Sequence, residues 1–172
     1  MLRVLLVRHG LTHDNVAGIT QGHSQGALTP LGRAQAAALV RPCAAPRHAA
    51  QTAEAPSQAS RLAGTRFGAV YCSDLGRCVE TLQIASELEP SRPVPQYLPL
   101  LRERGAGVFE GTPLGTVEAA AAAAGVSARE FRPEGGESWA DVRTRAAKFL
   151  LMCVGRGVVG CFCHTPDFTR AG

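Results

Sequence analysis

Lysine is almost missing from this chain: Lys148 is the only one among 18 basic residues. Positive charge therefore rests on arginine, whose planar fork grips two oxygens of a phosphate or carboxylate at once. The basic residues form no run, and aromatics to interleave with them are scarce, at 5% of the 172 residues. Both absences argue against a nucleic-acid groove. A net charge of +4 then suits a small anionic ligand better than a polyanion. No apolar run reaches the length of a membrane span, so no membrane partner is expected. Leu2 to Val7 is too short for a secretory leader and runs straight into polar residues, which points to a cytoplasmic location. The cysteines are Cys43, Cys72, Cys78, Cys153, Cys161 and Cys163, with no C-x-x-C pair among them. A zinc site or disulfide framework is therefore not expected. His9 and His13 have metal-like i,i+4 spacing, but Gly10 and Thr12 place them in a turn and the HExxH glutamate is missing. No metal and no cofactor are called for.

The apolar content of 45% is ample for one globular domain with a packed core. Leu2 to Val7, broken only by Arg3, reads as a buried strand that stops at Arg8-His9-Gly10. Ligands of open α/β sheets bind beyond the carboxyl ends of the strands, which is where this Arg-His pair falls. An imidazole can attack a phosphoryl group while a guanidinium holds its oxygens. On these residues alone, an exposed loop is the simpler reading.

Further along, Asn15 to Gln25 reads as a polar loop, and Thr29-Pro30 as the cap and first residue of a helix. Residues 42 to 64, punctuated by Pro42, Pro46 and Pro56, read as an irregular insertion. Phe67 to Cys72 has strand composition, and Ser73-Asp74 can cap a helix reaching Leu88, with Leu75, Val79 and Leu82 at helical spacing. Arg77 then falls in the first turn, where a cation opposes the helix dipole and so invites a functional use; a surface arginine is the neutral alternative. Arg102-Glu103-Arg104 sets an acid between two arginines, either a surface ion cluster or a titratable group in an anion pocket. A helix is expected near Leu114 to Ala124, and Ser138 caps another that carries Trp139 and Phe149 toward the core. Val158 to Cys163 reads as a short last strand. The alternation argues for an α/β layered domain with a mainly parallel sheet.

Several segments, in order, resemble the histidine phosphatase superfamily: Leu6-Val7-Arg8-His9-Gly10-x-Thr12, Asn15, Gln21-Gly22, Leu28-Thr29-x-Leu31-Gly32, Ser73-Asp74-Leu75-x-Arg77, Leu101-Arg102-Glu103-Arg104 and Gly135-Gly136-Glu137-Ser138. The resemblance implies a phosphoglycerate mutase-like three-layer α/β sandwich, here incomplete at its C-terminal end. It would span residues 1–153, followed by a divergent tail at 154–172. It also implies roles. His9 is the nucleophile and forms a phosphohistidine; Glu103 is the proton donor and acceptor. Arg8, Asn15, Gln21, Gly22 and Arg77 bind the phosphoryl group. The family's second phosphate-binding histidine sits in a Ser-His-Gly turn. The only late histidine here is His164, between Cys163 and Thr165, and it is the candidate for that role. The implied substrate is a small phosphorylated metabolite, with fructose 2,6-bisphosphate and other sugar bisphosphates foremost. A phosphoglycerate mutase, a broad phosphomonoesterase and an inactive fragment that only binds phosphorylated ligands or a partner stay open. Oligomeric state is not legible.

Overall fold

The computed structural model describes residues 2–40, 62, 64–87 and 92–163. Four parallel strands make one sheet in the order β1-β4-β2-β3. They are β1 (Arg3–Arg8), β2 (Ala69–Cys72), β3 (Gln96–Tyr97) and β4 (Val158–Cys163). Strand β4 sits between β1 and β2, pairing Arg3–Arg8 residue by residue with Val158–Cys163. Residues 158–163, read by sequence as a short last strand within the tail, form an inner strand of the sheet.

The helices are α1 (His13–Ala17), α2 (Pro30–Ala38), α3 (Gly76–Glu87), α4 (Thr116–Ala123) and α5 (Trp139–Cys153). Thr29 caps α2 through Gly32 N–H, with Pro30 at the first position, as the sequence predicts. Ser138 and Asp141 form a reciprocal capping box on α5. Helix α1 replaces part of the expected polar loop. Its signal is Thr12 with Asn15 three residues on, each side chain bonding the other's backbone N–H. Five residues are too few to carry a hydrophobic stripe, so periodicity cannot reveal it. Strand β3, at two residues, escapes for the same reason.

Each face of the sheet has its own core. On one side, helices α2 and α3 contribute with Val7, Val40, Leu62, Phe67, Val70, Cys72, Cys78, Leu82, Ala85 and Phe162. On the other, α5 brings Phe149 and Cys153 onto Ala69, Tyr71, Leu101, Val159, Cys161 and Cys163. Tyr71 and Phe149 meet edge to face at 5.3 Å, the arrangement aromatic quadrupoles favour. β1 alternates sides: Val7 is buried, while Leu6 on the α5 side is 58% exposed. Layers on both faces and an all-parallel sheet make this a three-layer α/β sandwich whose strand ends point toward one rim.

Candidate active site

The rim is built from the His9 loop outward. His9 follows the last residue of β1 and is 7% exposed. Gly10 N–H donates to Thr81 Oγ1 at 3.1 Å, and that hydroxyl donates to the Arg77 carbonyl at 2.7 Å. One buried threonine therefore ties the loop to α3. The loop also lies flat on the start of α2: a Cβ on Gly10 would run into the Gly32 carbonyl, and one on Gly32 into the Leu11 carbonyl. Both glycines are there to let backbones touch.

His9 Nδ1 is 2.8 Å from the Gly10 carbonyl oxygen. A carbonyl only accepts, so Nδ1 carries the proton and Nε2 is the ring's basic nitrogen. Burial pulls the His9 pKa down to about 4; the Gly10 hydrogen bond opposes this, and the Arg77 and Arg8 charges add to it. At neutral pH the ring is uncharged and can act as a nucleophile.

Arg77 is fully buried, not the surface arginine of the neutral alternative. Its Nη1 donates to the Ser24 carbonyl at 2.6 Å, and its Nη2 to the Gly22 carbonyl at 2.9 Å and to Glu103 Oε2 at 2.8 Å. Its Nε has no hydrogen-bond partner among the described residues. A buried donor left open costs stability unless a ligand satisfies it, and an oxyanion would. Burial raises the Glu103 pKa against the lowering effect of Arg77, Arg8 and Arg104. A carboxyl raised in this way keeps its proton to higher pH than an ordinary glutamate, which suits proton exchange.

The other residues expected at the site fall around this core. Arg8 is exposed at the end of β1, and its charge reaches both His9 and Glu103. Gln21 is buried, its Oε1 accepting from Thr12 Oγ1 at 3.1 Å. Gly22 has a positive φ of 52° and turns its carbonyl to Arg77. Asn15 spends its Oδ1 on the Thr12 N–H, at 3.2 Å, as part of the α1 cap. His164 lies outside the described residues, as does most of the 42–64 insertion. Among the described residues no cluster of His, Cys, Asp or Glu could hold a metal ion.

Three features escape the sequence. Arg145 and Glu137 form an ion pair at 2.9 Å beneath the Glu103 loop. His23 Nε2 bonds the Glu103 carbonyl at 2.9 Å. Their spacings follow no helix or strand period, so only the fold brings them together. Third, Trp139 is not a core residue: it is 37% exposed. Arg104 stacks over its ring at 5.3 Å, which keeps the indole at the surface where a guanidinium can share its face with water. Trp139, Leu114, Arg104, Glu103, Gly22 and Cys163 help to line a cavity of about 460 Å³ beside the Arg77–Glu103 pair.

A neutral imidazole at the carboxyl ends of parallel strands, with a buried arginine and a carboxyl of raised pKa, defines the class: an α/β protein with a candidate anion site at the rim of its sheet. The chain belongs to the histidine phosphatase superfamily (branch 1), whose family model matches residues 4–53 and 49–157. It is 37% identical over 150 residues to the fructose-2,6-bisphosphatase TIGAR B of Danio rerio, covering 84% of this chain and 50% of that protein. It is 33% identical over 112 residues to a broad-specificity phosphatase of Saccharomyces cerevisiae, covering 64% and 41%. The chain thus spans about half the length of these curated relatives, or less. The fold resembles the crystal structure of phosphoglycerate mutase from Thermus thermophilus, with a TM-score of 0.64, 27% identity, and coverage of 94% of this chain and 77% of that one.

Proposed function

We propose that this chain hydrolyses phosphate monoesters of small metabolites through a phosphohistidine on His9. The observation that carries the proposal is the setting of that ring: a buried imidazole whose Nδ1 lies 2.8 Å from the Gly10 carbonyl oxygen, which leaves Nε2 as the basic nitrogen, while burial lowers the pKa to about 4. In the first step Nε2 attacks phosphorus, the bond from phosphorus to the ester oxygen breaks, and Glu103 gives the departing oxygen its proton. In the second, water attacks the phosphohistidine, the P–N bond breaks, and Glu103 takes the proton from that water. Arg77 and Arg8 supply the positive charge that stabilises the phosphoryl oxygens in transit. Asn15, the Gln21-Gly22 segment and His164 complete the oxygen-binding ring in this reading. Two steps of modest height replace one difficult displacement.

The preferred substrate is a sugar bisphosphate, fructose 2,6-bisphosphate first, on the strength of the likeness to the zebrafish bisphosphatase. Five buried free thiols among the described residues suit a reducing compartment, and we place the enzyme in the cytoplasm. No helix among the described residues is long and apolar enough to cross a membrane.

Brief exposure to substrate followed by intact-mass analysis tests the core of the proposal. A phosphoryl adduct that is present in the wild type and missing from His9→Ala supports it; no adduct at saturating substrate overturns it. Product analysis with fructose 2,6-bisphosphate, 3-phosphoglycerate and p-nitrophenyl phosphate then sorts bisphosphatase, mutase and broad phosphatase.

A further inference from the structure

Glu103 sits on a loop, not on a strand or helix, and a general acid must be held to a fraction of an ångström to be useful. What holds this one is visible. Arg145, on α5, donates from Nη1 to the Leu100 carbonyl at 2.8 Å and from Nη2 to the Glu103 carbonyl at 2.9 Å. His23 Nε2 reaches the same Glu103 carbonyl at 2.9 Å from the opposite direction in the chain. Glu137 sits behind both. Its Oε1 accepts from Arg145 Nε at 2.9 Å, and its Oε2 from Arg145 Nη2 at 3.0 Å and from Gly105 N–H at 2.9 Å. Its own N–H donates back to the Gly105 carbonyl at 2.9 Å. The loop is thus pinned at residues 100, 103 and 105, which leaves the Glu103 carboxylate facing Arg77 at 2.8 Å.

We infer that the Glu137–Arg145 ion pair, with His23, is a positioning device that aims Glu103 at the leaving-group oxygen. The inference rests on the phosphohistidine reading above. None of the three residues carries the reaction's proton; they act through the Glu103 backbone. Both halves of the pair are mostly buried, with side-chain exposures of 15% for Arg145 and 21% for Glu137. Solvent therefore screens the bidentate contact little, and its geometry is stiff. Burial works against the charge on Glu137, but the Arg145 and Gly105 hydrogen bonds and the charges of Arg145 and His23 outweigh it and keep the carboxyl below its ordinary pKa. The clamp therefore stays ionised across the range in which Glu103 exchanges its proton.

A merely structural staple and an aiming device differ in one readout, dependence on the leaving group. An alkoxide cannot depart without the proton from Glu103, whereas p-nitrophenolate can. Single-turnover phosphohistidine formation is measured for wild type, Arg145→Lys and Glu137→Gln, using glycerol 3-phosphate and p-nitrophenyl phosphate. Lysine keeps the charge but cannot span both carbonyls; glutamine keeps the shape but loses the ion pair. The expected result is a fall of roughly 10- to 100-fold with glycerol 3-phosphate, about the cost of a small misplacement of a catalytic group. With p-nitrophenyl phosphate the change should be no more than a few-fold, and KM should stay unchanged for both. Equal losses on the two substrates, an effect confined to KM, or no loss in either variant overturns the inference. Wild-type chain that forms no phosphohistidine from either ester shows instead that the phosphatase reading has failed, and the inference falls with it. If Arg145→Lys melts without cooperativity, Glu137→Gln carries the comparison alone.

Discussion

Acid should unfold this protein partly through His9, the proposed nucleophile. His9 titrates near 6.5 when exposed and at about 4 in the fold, so the unfolded chain binds a proton that the folded one refuses. Below pH 6.5 that difference favours unfolding, and the loss grows until pH falls through 4. Two and a half pK units at 1.36 kcal/mol each set an upper bound of about 3.4 kcal/mol. At pH 4.5 the same linkage gives a loss of about 2.5 kcal/mol relative to pH 7. With a urea m-value of about 2 kcal/mol/M, the midpoint should fall by roughly 1.2 M from this residue alone. Carboxylates and the other histidines add their own terms, so the measurement is a double difference. Urea midpoints are compared at pH 7.0 and 4.5 for the wild type and for His9→Gln, which cannot titrate. The glutamine variant should retain about 1 M more of its pH 7 midpoint at pH 4.5. Equal losses in the two proteins would mean that His9 is not held neutral by burial, and its nucleophilicity would lose its physical basis.

Other substitutions separate the remaining parts. Glu103→Gln should slow turnover of alkyl phosphates by about 100-fold or more, and labelled substrate should show phosphohistidine accumulating because its hydrolysis has lost its base. Since Glu103 must be protonated to act as the acid and burial raises its pKa, the rate of phosphohistidine formation should fall as pH rises through that raised value. This limb should be missing in rapid-quench profiles of Glu103→Gln. Thr81→Val leaves the Gly10 N–H without its buried acceptor and should cost about 1–3 kcal/mol in denaturant titration. Gly32→Ala drives a methyl into the Leu11 carbonyl; a loss of about 1–3 kcal/mol is expected in a thermal melt, together with reduced phosphohistidine formation as the His9 loop shifts.

Much of the candidate site is legible in the sequence because its parts sit at element ends with local signatures. His9 follows a strand that its own run of Leu and Val defines, and Arg77 falls in the first turn of the helix that Leu75, Val79 and Leu82 announce. Thr29 and Ser138 announce their helices by side-chain chemistry alone. Composition alone shows Glu103 as an acid between arginines, and its role comes from the family resemblance; its meeting with Arg77 joins residues 26 apart. Trp139 misleads because its position on the α5 face fits a core stripe, yet Arg104 holds it at the surface. Glu137, Arg145 and His23 are opaque for a plainer reason. Their partners are backbone carbonyls and amides of another loop, and no side-chain pattern encodes where a carbonyl points.

The proposed catalytic groups stand on two separate supports. His9 and Arg77 are joined through Thr81 and the sheet, while Glu103 hangs from α5 and the loop around Gly105. Among the described residues the ion pairs Arg77 to Glu103 and Arg102 to Asp74 cross between them. Such a division lets one half drift in evolution while the other stays fixed. The phosphate-handling half can be inherited intact while the leaving-group half is rebuilt by altering a loop and one helix face. That is a physical route by which proteins as differently named as a bisphosphatase, a broad-specificity phosphatase and a mutase can share one scaffold. For engineering, substitutions around residues 100–105 and along α5 are the place to redirect specificity, and the Gly10–Thr81–Arg77 chain is the place to leave alone.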